Sequence, residues 1–80
     1  MFLEIITPEK IVFSGEINLI KVPGSKGSFE VLKNHAPLIS TLEKGDIKVL
    51  TNTDEEKHFS IDGGVIEVRD NKIIVLGEFV

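Results

Sequence analysis

The stretch Val65-Ile66-Glu67-Val68-Arg69-Asp70-Asn71-Lys72-Ile73-Ile74-Val75-Leu76 decides the fold class. Its first half alternates through Ile66 and Val68, the two-residue period of a half-buried strand. Asp70-Asn71 then reads as a two-residue hairpin turn, since both residue types tolerate left-handed backbone. Ile73–Leu76 is apolar on both faces, which predicts a central strand.

The rest of the chain has the same rhythm of short apolar segments and turn chemistry. Phe2–Ile6 is a strand with Leu3 and Ile5 on one face, and Thr7-Pro8-Glu9-Lys10 is a turn with Pro8 preset for its second position. Ile11–Phe13 is a short strand ended by Ser14-Gly15, where the glycine suggests a bulge or kink. Ile17–Val22 follows, with Ile20 and Val22 on one face and Ile17 and Leu19 on the other. With apolar groups on both faces, one face is expected to be covered by another part of the fold or by a partner. Pro23–Ser28 is a loop with two glycines, Phe29–Leu32 a strand, and Lys33–Pro37 an irregular connection. Pro37–Leu42 and Asp46–Thr51 are predicted as strands joined by a hairpin at Glu43-Lys44-Gly45, with Gly45 at positive φ. Asn52–Glu56 is a polar, acidic turn, His58–Ile61 a strand with Phe59 and Ile61 inward, and Asp62-Gly63-Gly64 a tight turn. The sum is about nine strands, nearly all antiparallel, in an all-β two-sheet sandwich.

Composition agrees. The 80 residues include 11 Ile, 8 Val and 5 Phe against a single alanine, Ala36, and no 11-residue window carries a clean helical stripe. One domain, residues 1–80, is expected, because a chain this short buries only about 60–65% of its unfolded surface. Without cysteine there is no disulfide or thiolate metal site. The net charge is −4, which suits nucleic acid poorly, since phosphate contacts need a clustered basic face. The longest apolar run is four residues and the N-terminus lacks a signal-peptide pattern, so a small soluble intracellular domain is the expectation.

Chemistry-bearing residues are sparse. His35 and His58 stand 23 positions apart with no second ligand at metal spacing. His58, in a polar–apolar alternation, reads as a solvated strand residue. Ser14 and Ser28 lack the glycine-flanked pattern of a nucleophile elbow. The G-x-x-G of Gly24-Ser25-Lys26-Gly27 runs on through Ser28 into a strand, whereas a phosphate cradle needs a helix N-terminus. Lys44 and Lys72 sit near turns but lack the neighbours of a lipoylated or biotinylated lysine. No catalytic, cofactor or metal residue is therefore assigned. The Pro23–Ser28 loop is read as a mobile tip or a partner contact. Asn34-His35-Ala36-Pro37 is read as a strand-entry corner, with His35 bonded to a neighbouring carbonyl, or as a docking rim.

Taken in order, Ile11-Val12-Phe13-Ser14-Gly15, Ile20-Lys21-Val22-Pro23-Gly24-Ser25-Lys26-Gly27, His35-Ala36-Pro37-Leu38-Ile39, Leu42-Glu43-Lys44-Gly45-Asp46-Ile47 and Gly63-Gly64-Val65-Ile66-Glu67-Val68 resemble the N-terminal domain of the epsilon subunit of F-type ATP synthases. The resemblance runs along essentially all 80 residues. It implies a flattened two-sheet antiparallel β-sandwich of nine to ten strands. It also implies a non-catalytic rotor subunit, binding gamma and the c-ring within the complex with alpha and beta, so that ion translocation couples to ATP synthesis. The implied place is peripheral, on the cytoplasmic side of the bacterial plasma membrane. Gly24, Ser25, Lys26, Gly27, Ser28 and His35 occupy the positions of the family's ring and gamma contacts. Ser28 stands where many members have an acid, which removes an ion pair to the ring at that point. For the gamma face, the outward-reading Ile17 and Leu19 are the candidates. Members usually continue into an inhibitory, sometimes ATP-binding, helical hairpin; this sequence has none, so no ATP binding and no cofactor are expected. The alternative is a free-standing ligand-binding sandwich, which needs exposed aromatics that a chain without Trp or Tyr is poorly placed to supply.

Overall fold

The computed structural model describes residues 1–79. They form seven strands and no helix: β1 (Phe2–Ile6), β2 (Ile11–Val22), β3 (Phe29–Leu32), β4 (Leu38–Leu42), β5 (Gly45–Thr51), β6 (Glu56–Arg69) and β7 (Lys72–Phe79). Seven replaces the expected nine to ten because two predicted breaks fall inside continuous strands. Ser14-Gly15 lies within β2, and Asp62-Gly63-Gly64 lies within β6. Each long strand has a register shift close to where it changes partners, between Ile17 and Leu19 in β2 and between Ile61 and Gly63 in β6. A bulge adds a residue and sharpens the local bend, so the strand turns the corner without ending. Gly63 takes φ 139° there, a conformation that suits glycine.

These bent strands build two layers. The first half of β2 pairs with β1, the second half with β3 and β5. The first half of β6 pairs with β5, the second half with β4 and β7. One layer is therefore β4–β6–β7–β1–β2 and the other β3–β2–β5–β6, nine strand segments from seven strands. All pairings are antiparallel except β1–β7, and the whole measures 26 × 23 × 18 Å. β4 and β5 are not a hairpin, contrary to the expectation: both pair with β6, on different halves, and the link between them crosses from layer to layer. Gly45 has no positive φ. Its value is room, since a Cβ there would lie 2.9 Å from Pro23 Cβ.

The turns follow their side chains. Asp70 and Asn71 take φ 51° and 63°, closing the β6–β7 hairpin. The Thr7 amide donates to the Lys10 carbonyl at 2.9 Å between β1 and β2. The Thr51 hydroxyl accepts from the Glu55 amide at 3.0 Å between β5 and β6.

Between the layers lies an aliphatic core of Leu3, Ile5, Ile17, Ile20, Val22, Val31, Leu42, Ile47, Val49, Ile61, Ile66, Val68, Ile73 and Val75. Each such side chain contributes about 1.5–3 kcal/mol by leaving water, against at most about 1 kcal/mol for an exposed ion pair. The core therefore dominates stability. Phe13, Phe59 and Phe79 stack edge to face at its margin, with centroids 5.9 and 6.5 Å apart.

Where β6 and β7 cross, glycine faces glycine, Gly64 opposite Gly77. A Cβ on Gly64 would lie 2.2 Å from the Leu76 carbonyl oxygen. Gly64→Ala is expected to cost about 3 kcal/mol as an overpacked site, read as a lower urea midpoint at unchanged slope. Gly15→Ala, whose Cβ meets only ordinary contacts near 3.6 Å, is the control and should move the midpoint little.

Candidate partner-binding surfaces

Five of the expected contact residues come together. Gly24, Ser25, Lys26, Gly27 and Ser28 line one groove with Phe29 and with Ile39, Ser40 and Thr41 of β4, enclosing about 650 Å³. The loop is held to the β4 edge. Gly24 bridges Leu42, the Ser25 amide donates to the Thr41 carbonyl at 3.1 Å, and the Glu43 amide donates to the Pro23 carbonyl at 2.9 Å. The Thr41 hydroxyl also donates to Ser25 Oγ at 2.9 Å. Gly24 is buried, and a Cβ on it would come within 2.7 Å of both the Gly27 carbonyl oxygen and the Phe29 ring. Gly27 has φ 121° and open space around it. Thus one glycine permits close packing and the other permits the turn, leaving Lys26 as the exposed cation at the tip.

His35 does not join this groove. β3 separates the two, four residues or about 13 Å of strand. At its far end Asn34 takes φ 64°, and its amide donates to the Asn71 side-chain oxygen at 3.0 Å, which fixes the corner to the β6–β7 turn. The exposed His35 ring donates from Nδ1 to the Ala36 carbonyl at 2.7 Å, as the corner reading expects.

Ile17 is not an outward residue. It is 2% exposed and belongs to the core. The bulge between Ile17 and Leu19 breaks the alternation, so Ile17, Ile20 and Val22 all face inward. Leu19 stays on the outer side, half-buried between Leu32 of β3 and Leu50 of β5, its direct cross-strand partners. Directly paired residues share a face, so these leucines form one row on the second layer. The next row is charged: Glu30, Lys21, Lys48 and His58.

A larger apolar surface, absent from the sequence reading, lies on the outside of the first layer. One row runs across all five strands as Thr41, Val65, Leu76, Ile6 and Ile11. The adjacent row is Ile39, Glu67, Ile74 and Glu4. Ile39 is 72% exposed, Ile11 57% and Leu76 51%, and Ile39, Val65, Ile74 and Leu76 border one groove with Glu67. The signal was present in Ile73–Leu76, apolar on both faces. A strand central in its layer need not be covered on its outer side.

His58 has carboxylate partners on two strands. Nδ1 lies 2.6 Å from Asp46 Oδ2 on β5 and Nε2 lies 2.7 Å from Glu56 Oε2 on β6, whose other oxygen is 3.7 Å from Lys48 Nζ. The bond to Asp46 first, then that to Glu56, raises the His58 pKa above its ordinary value. The bond from His58, then the charge of Lys48, lowers that of Glu56. Among the described residues no group of three or more acidic, histidine or cysteine side chains is arranged to hold a metal ion.

Comparison with known proteins accords with the fold and its motifs. A family described as ATP synthase, Delta/Epsilon chain, beta-sandwich domain, matches residues 1–80. The ATP synthase epsilon chain of Chlorobaculum tepidum is 47% identical over 76 residues, covering 95% of this chain and 86% of that one. That of Leptospira borgpetersenii is 43% identical over 74 residues, covering 92% of this chain and 58% of the other. Relatives in which the sandwich is nearly the whole chain and relatives in which it is little over half thus share this sequence. Among solved structures, a chain of the Tetrahymena thermophila mitochondrial ATP synthase central stalk and c-ring superposes with a TM-score of 0.81 at 23% identity, covering 98% of this chain and 63% of that chain. A chain of the Euglena gracilis mitochondrial enzyme does so with 0.87 at 19% identity, covering 94% and 48%. With the family model matching residues 1–80 and an epsilon chain 47% identical over most of both chains, this chain belongs to the ATP synthase delta/epsilon chain family, as its beta-sandwich domain.

Proposed function

We propose that this chain, as one sandwich domain over residues 1–80, is the epsilon-type rotor subunit of an ATP synthase. It joins gamma to the c-ring at the foot of the central stalk, so that ion translocation drives ATP synthesis on the alpha and beta subunits. The subunit is non-catalytic and peripheral, on the cytoplasmic side of a bacterial plasma membrane. The observation that carries this reading is a closed double layer with a broad apolar exterior, in a chain of this family. A part that transmits torque must deform little and must grip its neighbours, and interlocked sheets with an apolar anchor and polar rim suit both needs.

The gamma seat is placed on the outside of the first layer. It holds Ile39, Val65, Ile74, Leu76, Ile6 and Ile11, with Glu4, Glu67, Arg69 and Lys72 near its rim. Leu19, on the opposite layer, sits in a shorter row that is the rival seat. The groove of Gly24, Ser25, Lys26, Gly27 and Ser28 is placed against the polar loops of the c-ring, with Lys26 as its one charge. The His35 corner is a separate contact. The free-standing ligand-binding alternative lacks support, because four of the five Phe pack against the core and the fifth, Phe2, is a lone half-buried ring at the start of β1.

Pull-down from detergent-solubilised membranes with the tagged chain should recover gamma with alpha and beta. Ile39→Asp with Leu76→Asp should reduce gamma recovery at least about tenfold, the loss expected when a central apolar anchor is worth over ~1.4 kcal/mol. Leu19→Asp should leave recovery unchanged. The reverse pattern would move the seat to the second layer, and recovery of nothing by the unaltered chain would remove the rotor reading.

The groove offers a phosphate no helix N-terminus, since its loop leads into β3. Calorimetric titration with magnesium-ATP is expected to show no saturable heat at micromolar nucleotide.

A further inference from the structure

His58 offers both ring nitrogens to carboxylates, Nδ1 to Asp46 at 2.6 Å and Nε2 to Glu56 at 2.7 Å. An ionised carboxylate only accepts, and a neutral imidazole carries one N–H. Both bonds therefore exist together only when the ring is an imidazolium. We propose that His58 is a proton-operated clamp on the second layer. As the cation it ties β5 to β6 through Asp46 and Glu56; as the neutral ring it releases one of the two carboxylates.

The clamp sits where it can matter. Among the described residues, β6 is the last strand of its layer there: residues 56–60 pair with β5 alone, and β7 joins only at Ile61, through Phe79. The surrounding charges are few. From β5 come Asp46 and Lys48, from β6 Glu56, and from β2 Lys21, which pairs with Lys48. Glu30 of β3 stands beyond Lys21, Lys57 alternates to the other side of β6, and Glu55 is engaged by Thr53 in the turn. Asp62 sits in the β6 bulge itself, and Glu78 pairs beyond it with Gly63. Asp46, Lys48, Glu56 and His58 together carry no net charge with the ring protonated and one negative charge without it. Loss of the proton thus loosens the strand pair and turns the surface beside the Leu32–Leu19–Leu50 row negative.

The sign follows from the two shifts. The raised His58 value makes the clamp's contribution full below the ordinary histidine range and lost as pH rises through the folded value. The lowered Glu56 value makes its share full above the ordinary carboxylate range and lost as pH falls through its own folded value. The clamp is strongest between the two.

The test is a side-chain NMR titration of the intact chain together with amide exchange. At mildly acid pH, both His58 ring N–H protons should be observed, and the ring should titrate above a histidine in an unstructured peptide. Asp46→Asn and Glu56→Gln should each lower that midpoint. Protection factors at Val49 and Phe59, whose amides face the β5–β6 ladder, should fall severalfold as the wild-type ring loses its proton, and should not change with pH in His58→Gln. Titration at or below the peptide value, or an equal loss of protection in wild type and His58→Gln, overturns the proposal. These side chains are exposed, so the variants should fold, and neither result bears on the rotor reading.

Discussion

The backbone hydrogen-bond circuit is the constraint from which the rest of the structure follows. β1 pairs with β7, β7 with β6, β6 with β5, β5 with β2, and β2 returns to β1. This circuit closes only because β2 and β6 each belong to both layers. Two separate sheets could slide over an aliphatic core, since dispersion and water exclusion have little directional preference. Here sliding would break ladders at both corners. β3 and β4 stand outside the circuit as free edges, and the Gly24–Leu42 bridge with its flanking amide bonds ties one end of them together. The G-x-x-G loop of this chain is therefore also a structural tie.

Closure explains the unequal outer faces. In a two-layer fold one side of each strand supplies the core, and the other is free to serve solubility or contact. The second layer spends much of that freedom on charge, in the row Glu30, Lys21, Lys48 and His58. The first layer presents aliphatic side chains across five strands. Scattered apolar residues on a surface are ordinary, but a contiguous sheet face of them marks a contact. Its position over the most interlocked strands, β6, β7 and β1, places any grip on the stiffest part of the fold.

The fold class was legible because side-chain alternation and turn chemistry are local. Asp70-Asn71, Thr7–Lys10 and the polar turn after Thr51 all formed where their residues predicted. The bends were not legible. Gly15 and Gly63-Gly64 send the same local signal whether a strand stops or turns a corner, and only long-range pairing distinguishes the two. That ambiguity accounts for the nine predicted strands, which correspond to the nine segments the two layers contain. It also accounts for Ile17, because strict alternation cannot register a bulge that shifts a side chain to the other face. The supposed β4–β5 hairpin failed similarly: a two-residue link looks the same within a layer and between layers. The Glu56–His58 contact was accessible from i, i+2 spacing on a strand, whereas Asp46 needed the β5–β6 register.

The separation of the Lys26 groove from the His35 corner bears on how such a domain would work in the proposed rotor. A subunit that grips two neighbours through one flexible loop would transmit torque through that loop's compliance. Here the groove and the corner stand at opposite ends of β3, and each is fastened to a different partner strand. Pro23 and Ser25 bond to the β4 end, and Asn34 bonds to the β6–β7 turn. A load entering at either end passes directly into strands of the closed circuit, and the broad apolar face lies on those same strands. The path from one neighbour to the other then runs through hydrogen-bonded sheet, with glycines confined to the places where backbones cross closely or a turn must form.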